Sequence, residues 1–176
     1  LCFAQMVLAG LRWFLIGKMT GPFLNISVAF RINFAAMFSN QILPTSIGGD
    51  LVRVGLSRNT TLSVGRAIRT VVLDRVTGLV SLMMLLLVTS FVMDELFPPH
   101  WPIFTLKVVA GLFVITVFLI IFLGESMADY FPESTHFKWA KQFLRESNAL
   151  GRERVIAFYA VALSLCIHSI GALCLW

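Results

Sequence analysis

Three stretches of this chain, 76–93, 108–124 and 155–176, are apolar and hold no Asp, Glu, Lys or Arg. Each is close to the roughly 20 residues that carry an α-helix across a hydrocarbon core of about 30 Å. In lipid no water is available to the backbone, so every N–H and C=O must be satisfied within a helix or a closed barrel. Unbroken apolar runs of this length select the helix. The expected fold class is therefore all-α, a polytopic transmembrane bundle. Charged residues make up 13% of the chain, against about 25% in soluble domains, and that excludes an ordinary soluble fold. The spans are expected at about 1–17, 72–93, 103–124 and 154–176.

The segment at the front has no basic stretch before it and no small-residue cleavage site after it, so it is not a signal peptide. The chain opens at Leu1 within an apolar stretch and closes at Trp176 at the end of another. The expectation is a partial domain, an internal piece of a larger membrane protein. Cys2, Cys166 and Cys174 show no metal spacing and no CxxC pair, and read as small buried hydrophobes. The net charge of +5 points to cytoplasmic loops and anionic lipid rather than to nucleic acid.

The basic residues are clustered. Arg12 and Lys18 follow the first apolar stretch, five arginines lie between Arg53 and Arg75, and Lys138, Lys141, Arg145, Arg152 and Arg154 precede the last span. The loop 94–102 holds Asp94 and Glu95 and no Lys or Arg. By the positive-inside rule 94–102 faces out, and 18–70 and 125–154 face the cytoplasm of a plasma (inner) membrane. Lys18 and Arg53 are then on one side, so the chain between them goes in and comes back. That segment carries Asn25, Ser27, Arg31, Asn33, Ser39, Asn40 and Gln41, a load that a lipid-facing helix would not carry. A re-entrant helical hairpin over about 22–58 fits, lying inside the bundle or lining a cavity. The region 125–153 has apolar residues near helical spacing between lysines and arginines, as in a cytoplasmic amphipathic helix or a solvated linker.

The residues with most chemistry fall between Asn40 and Arg75. Pro44 stops a helix, Gly48 and Gly49 permit close backbone approach, and Ser46 or Asp50 caps the helix that follows. Free N–H groups at such a helix start can hold a phosphate or carboxylate; a plain sharp turn before a surface helix is the alternative. Arg53 follows Asp50 by three residues, so the two share a face and can pair. Asp74 and Arg75 are adjacent and face different ways. Asp74 has Arg31, Arg53 and Arg69 as potential partners, or the pair simply anchors the membrane boundary. His168, inside the last span, reads as a neutral histidine bonded to a neighbouring helix, with a functional role as the alternative. Asn25-Ile-Ser27 and Asn59-Thr-Thr61 match a glycosylation acceptor, a pattern common by chance. No HExxH, GxSxG or GxxxxGK[ST] occurs, and no nucleophile has a paired base. No cofactor and no metal is expected, nor a whole enzyme active site within this stretch.

Two blocks carry a resemblance. One is Phe38-Ser-Asn-Gln-Ile-Leu-Pro-Thr-Ser-Ile-Gly-Gly-Asp-Leu-Val-Arg53. The other is Ser63-Val-Gly-Arg-Ala-Ile-Arg-Thr-Val-Val-Leu-Asp-Arg-Val-Thr-Gly78. Together they resemble the lysylphosphatidylglycerol synthase transmembrane-region family, the flippase-like membrane proteins, formerly grouped as dolichol-phosphate-glucose synthase-like. The family pattern falls on Asn40, Leu43, Pro44, Gly48, Gly49, Asp50, Arg53, Asp74, Arg75 and Gly78. The resemblance implies a multi-span bundle that, in bifunctional members, precedes a cytosolic aminoacyl-transferase domain and flips the aminoacylated lipid.

The expected function is to bind or translocate a phospholipid or lipid-linked headgroup, anionic or zwitterionic. Asn40, Gly48, Gly49, Asp50, Arg53, Asp74 and Arg75 are the candidate headgroup residues, in a cavity open to the cytoplasm. The alternatives are the membrane domain of a lipid aminoacyl or glycosyl transferase, with a transferase domain or partner; a small-solute transporter; or a scaffold whose hairpin polar groups are self-paired and closed.

Overall fold

The computed structural model describes residues 1–20, 24–42, 47–58, 63–96, 101–130, 141, 143–145 and 153–175. Among them six long helices follow one another: α1 (Cys2–Met19), α2 (Ile26–Ile42), α3 (Gly48–Arg58), α4 (Val64–Leu96), α5 (Trp101–Tyr130) and α6 (Arg154–Leu175). α1, α4, α5 and α6 are long and apolar enough to cross a membrane. The all-α polytopic bundle expected from the apolar runs is what forms.

Hydroxyl side chains of α4 return hydrogen bonds to their own helix. Thr70, Thr77 and Ser81 donate to the carbonyls of Arg66, Leu73 and Thr77 at 3.0, 2.9 and 2.9 Å. A hydroxyl bonded four residues back needs no water, so α4 tolerates these groups in an apolar run. α4 begins at Val64 and spans 33 residues, about 50 Å at 1.5 Å per residue. It therefore starts well ahead of residue 72 and takes in Arg66 and Arg69. Its last turn takes in Asp94 and Glu95, which the sequence reading placed in a loop; Pro98, Pro99 and His100 lie outside the described residues. Most of the 125–153 segment lies outside them too, although α5 continues as helix to Tyr130. Phe143 packs against Ile16, Leu73 and Ala160.

Side-chain contacts set the helix directions. Arg12 of α1 meets Asp74 of α4, and Thr20 meets Thr70, so α1 and α4 are antiparallel. Asn33 of α2 donates to Met6 O, and Phe34 stacks on Phe3 at 6.1 Å, so α2 returns along α1. α3 turns back along α2, with Gly49 against Ala36 and Asn40, and Arg53 on Asn33. α6 runs against α1, with Ser164 at Arg12 and Ile167 O taking a 2.9 Å bond from Gln5. Met19, Ile26, Arg58 and Val64 thus lie at one end of the bundle, here the Lys18 end.

α2 and α3 form the helical hairpin expected over 22–58. It enters and leaves at the Lys18 end, and Asp50 near its tip meets Arg75. Arg75 lies about 16 Å along α4 from Val64, roughly half a hydrocarbon core. Between the hairpin and the spans sits the apolar core of Trp13, Phe14, Leu24, Ala29, Ile32 and Ala67. Cys2, Cys166 and Cys174 are exposed on the outer surface of the bundle rather than buried. A small apolar side chain is as content facing lipid as facing protein, so hydrophobicity alone could not place them.

Candidate functional site

At the depth of the hairpin tip, five charged side chains from three helices meet. Asp74 is 1% exposed and forms the hub. Arg12 grips it in a two-point fork, Nε to Oδ1 at 2.8 Å and Nη2 to Oδ2 at 3.1 Å. Arg53 Nη1 donates to the same Oδ2 at 3.2 Å. Each arginine is held from behind. Arg12 Nη1 donates to Ser164 Oγ at 2.8 Å. Arg53 Nη2 donates to Asn33 Oδ1, and its guanidinium lies 5.4 Å from the Trp13 ring centroid. One acid therefore joins α1, the hairpin and α4.

The second pair is more open. Arg75 donates through Nε and Nη2 to the two carboxylate oxygens of Asp50, both at 2.8 Å. The Arg75 side chain is 51% exposed and that of Asp50 19%. Asp50 also lies 3.8 Å from Arg53 Nη1, so the pairing expected within α3 exists but is the longest of the set. The main partners are exchanged: Asp50 takes Arg75, and Asp74 takes Arg53. Neither Arg31 nor Arg69 has a described bond to Asp74. Asp74 and Arg75 lie well inside α4, in its third turn and beyond, not at its start.

Gly48 and Gly49 are buried at the start of α3. A Cβ on Gly49 would sit 2.5 Å from Ala36 O and 2.6 Å from the Asn40 amide, so the two helices touch backbone to backbone. The Gly49 N–H donates to Asn40 Oδ1 at 2.7 Å. Asn40 caps α3 from the neighbouring helix and takes the amide that the sequence reading offered to an anion. Of the seven candidate residues, Gly48 and Gly49 thus pack the hairpin, and Arg53 and Asp74 hold it to the spans.

Beside this cluster lies a cleft of about 300 Å³ whose polar wall is Arg12, Asn40, Arg53, Asp74, Arg75 and His168. His168 Nε2 lies 3.0 Å from Gly78 O on α4, the inter-helix bond expected of it. Gly78 leaves room for Arg12, since a Cβ there would be 3.3 Å from Arg12 Nη1. Arg12, Asn33, Ser164 and Trp13 were not among the candidates. Arg12 had a readable signal, an ionisable residue inside an apolar span, but its closeness to Lys18 made it look like a boundary charge. Among the described residues no group of three or more His, Cys, Asp or Glu could hold a metal ion.

Three arginines face two aspartates here, so the described cluster carries one excess positive charge beside a cleft within the bundle. The model of one protein family, the lysylphosphatidylglycerol synthase TM region, matches residues 1–176. The chain belongs to that family. No curated protein and no solved structure matches it. As a member of the lysylphosphatidylglycerol synthase TM family with four apolar spans, it is a multi-pass membrane protein. The two blocks that carried the resemblance supply the facing ends of α2 and α3 and the charged stretch of α4.

Proposed function

We propose that this chain binds the phosphate of a membrane lipid headgroup in the cleft and moves that lipid between leaflets. The observation that carries the reading is the excess positive charge at the cleft. An uncompensated charge held out of water costs several kcal/mol, and a lipid phosphate offsets it while its chains stay in the bilayer. Arg12 and Arg53 are buried and bond Asp74, Ser164 and Asn33, while Arg53 Nε is buried with no hydrogen-bond partner among the described residues. Arg75 uses Nε and one N–H of Nη2 on Asp50. Its remaining N–H donors make it the phosphate-binding residue, and Asp50 holds its fork. Asn40 and His168 line the same cleft.

The reading extends to a plasma (inner) membrane location, with 18–70 and 125–154 cytoplasmic and 94–102 external, supported by the distribution of Lys and Arg. The family's description as part of a synthase favours a second reading. There the cleft presents a headgroup to an aminoacyl or glycosyl transferase domain or partner.

The test uses the full-length protein in liposomes with fluorescent phosphatidylglycerol in the outer leaflet. Wild type is expected to equilibrate the probe between leaflets. Arg75→Gln is expected to slow this about tenfold, the loss of one charge-assisted hydrogen bond. No equilibration, or equal rates for both proteins, transfers the cleft to the transferase reading.

A further inference from the structure

The cleft has a definite side. Its apolar wall is Ala9, Met37, Leu79, Leu82 and Ile167. α1 runs against α4, α2 runs against α1, and α6 runs against α1, so each of these residues lies from Asp74 toward the Leu96 end of α4. The packed core of Trp13, Phe14, Ala29, Ile32 and Ala67, with Val54 of the hairpin against it, lies on the opposite side, toward the Lys18 end. Ile16, Leu73 and Ala160 add a second apolar layer there. The charge cluster closes the same route: Asp74 ties α1 and α3 to α4, and Arg75 ties α4 to Asp50. A cavity open to the Lys18 end, as the sequence suggested, would have to pass through all of this.

On the Leu96 side the arrangement differs. α2 packs on α1 and α3, while α4 packs on α1, α3, α5 and α6. Among the described residues, α3 stands between α2 and α4 as far as its start at Gly48. Past that point Met37 and Asn40 face Gly78, Leu79 and Leu82 across the cleft. Leu79 is 45% exposed at its edge.

We infer that the cleft loads from the bilayer half at the Leu96 end of α4. A phosphate-bearing lipid slides between α2 and α4 past Leu79 and Leu82, its chains on the apolar wall, and its phosphate reaches Arg75. This rests on the headgroup reading for the identity of the occupant, and on the packing alone for the side. The charged groups Arg12, Arg53, Asp74 and Arg75 sit deep, and Leu79 and Leu82 line the mouth opposite Met37 and Asn40. That order suits an amphiphile arriving head first. The apolar core and the two charge pairs are the closed gate toward the Lys18 end.

The test is cysteine accessibility in the full-length protein with Cys2, Cys166 and Cys174 changed to alanine. Leu79→Cys and Leu82→Cys are treated with a charged, membrane-impermeant thiol reagent from each side of sealed vesicles of known orientation. Glu95→Cys and Ser63→Cys mark the two ends, and Val88→Cys, exposed on the same helix, marks the lipid face. Both cleft cysteines are expected to react from the Glu95 side, at least tenfold faster than Val88→Cys. Dihexanoylphosphatidylglycerol is expected to slow that reaction, and inorganic phosphate at equal concentration to leave it unchanged. Reaction from the Ser63 side, or no reaction above the Val88→Cys rate from either side, overturns the inference. Reaction from the Glu95 side with equal protection by inorganic phosphate overturns the lipid as occupant and sustains the side. Reaction from the Glu95 side with no protection by either probe overturns the headgroup reading in the same way.

Discussion

Asp74 is the residue on which the charged cluster turns. It is buried, and two arginines that are themselves buried, at 9% and 6% exposed, share it as counter-charge. Asp74→Asn leaves the Arg12 guanidinium in the bundle without a counter-charge and Arg53 with only Asp50 at 3.8 Å. Breaking a buried pair in this way costs about 3–5 kcal/mol. The expected outcome is a large drop in the thermal midpoint of the full-length protein in detergent. Arg75→Gln removes a half-exposed partner, and its loss costs at most about 1 kcal/mol. Asp50 keeps Arg53 nearby at 3.8 Å, so it is not stranded. A midpoint for Arg75→Gln as low as that for Asp74→Asn would show that Arg75 is structural. The acid–base pattern from Asp50 to Arg75 was legible as sequence. The exchange of partners was not, because spacing along one helix reports only neighbours on that helix.

At the scale of elements, the hairpin depends on close approach of α2 and α3. Gly49 is the contact point and Gly55 is the internal control, since a Cβ on Gly55 meets nothing within 4 Å. Gly49→Ala forces backbone apart against Ala36 O and is expected to cost about 1–3 kcal/mol, the usual range for overpacking. Gly55→Ala is expected to stabilise by about 0.5–1 kcal/mol through helix propensity alone. Thermal midpoints of the two variants should therefore move in opposite directions, and a parallel shift would refute the close packing of the hairpin. The hairpin itself could be inferred from too many polar residues between two positively charged ends. The start of α4 could not: Arg66, Arg69 and Thr70 look like loop by hydropathy, yet they continue the helix. Helix hydrogen bonding does not stop where apolarity does, and Thr70 closes its own bond to Arg66 O.

For the whole molecule, the outer surface is apolar over wide areas, with Phe91, Phe104, Phe118 and Phe158 each more than half exposed. Lipid covers such a surface in a multi-pass protein. Cys2, Cys166 and Cys174 lie on it, and hydrocarbon keeps a charged reagent away from them. They are expected to resist a charged thiol reagent in intact liposomes and to react once the protein is unfolded in detergent. Rapid labelling in the intact state would place these faces against water or a solvated partner.

The fold class, the number of long apolar spans and the presence of a hairpin followed from the residues alone, because lipid admits few backbone solutions and apolar runs report them directly. The residues of the charged cluster were also largely visible, as polar groups where lipid would not accept them. Only the tertiary structure decided which acid holds which arginine, brought Arg12 to Asp74 across 62 residues of chain and to Ser164 across 152, and set the cleft on the Leu96 side of the core. Those facts depend on helix directions and on which faces meet, and pairing between distant segments leaves no periodic trace in a single sequence.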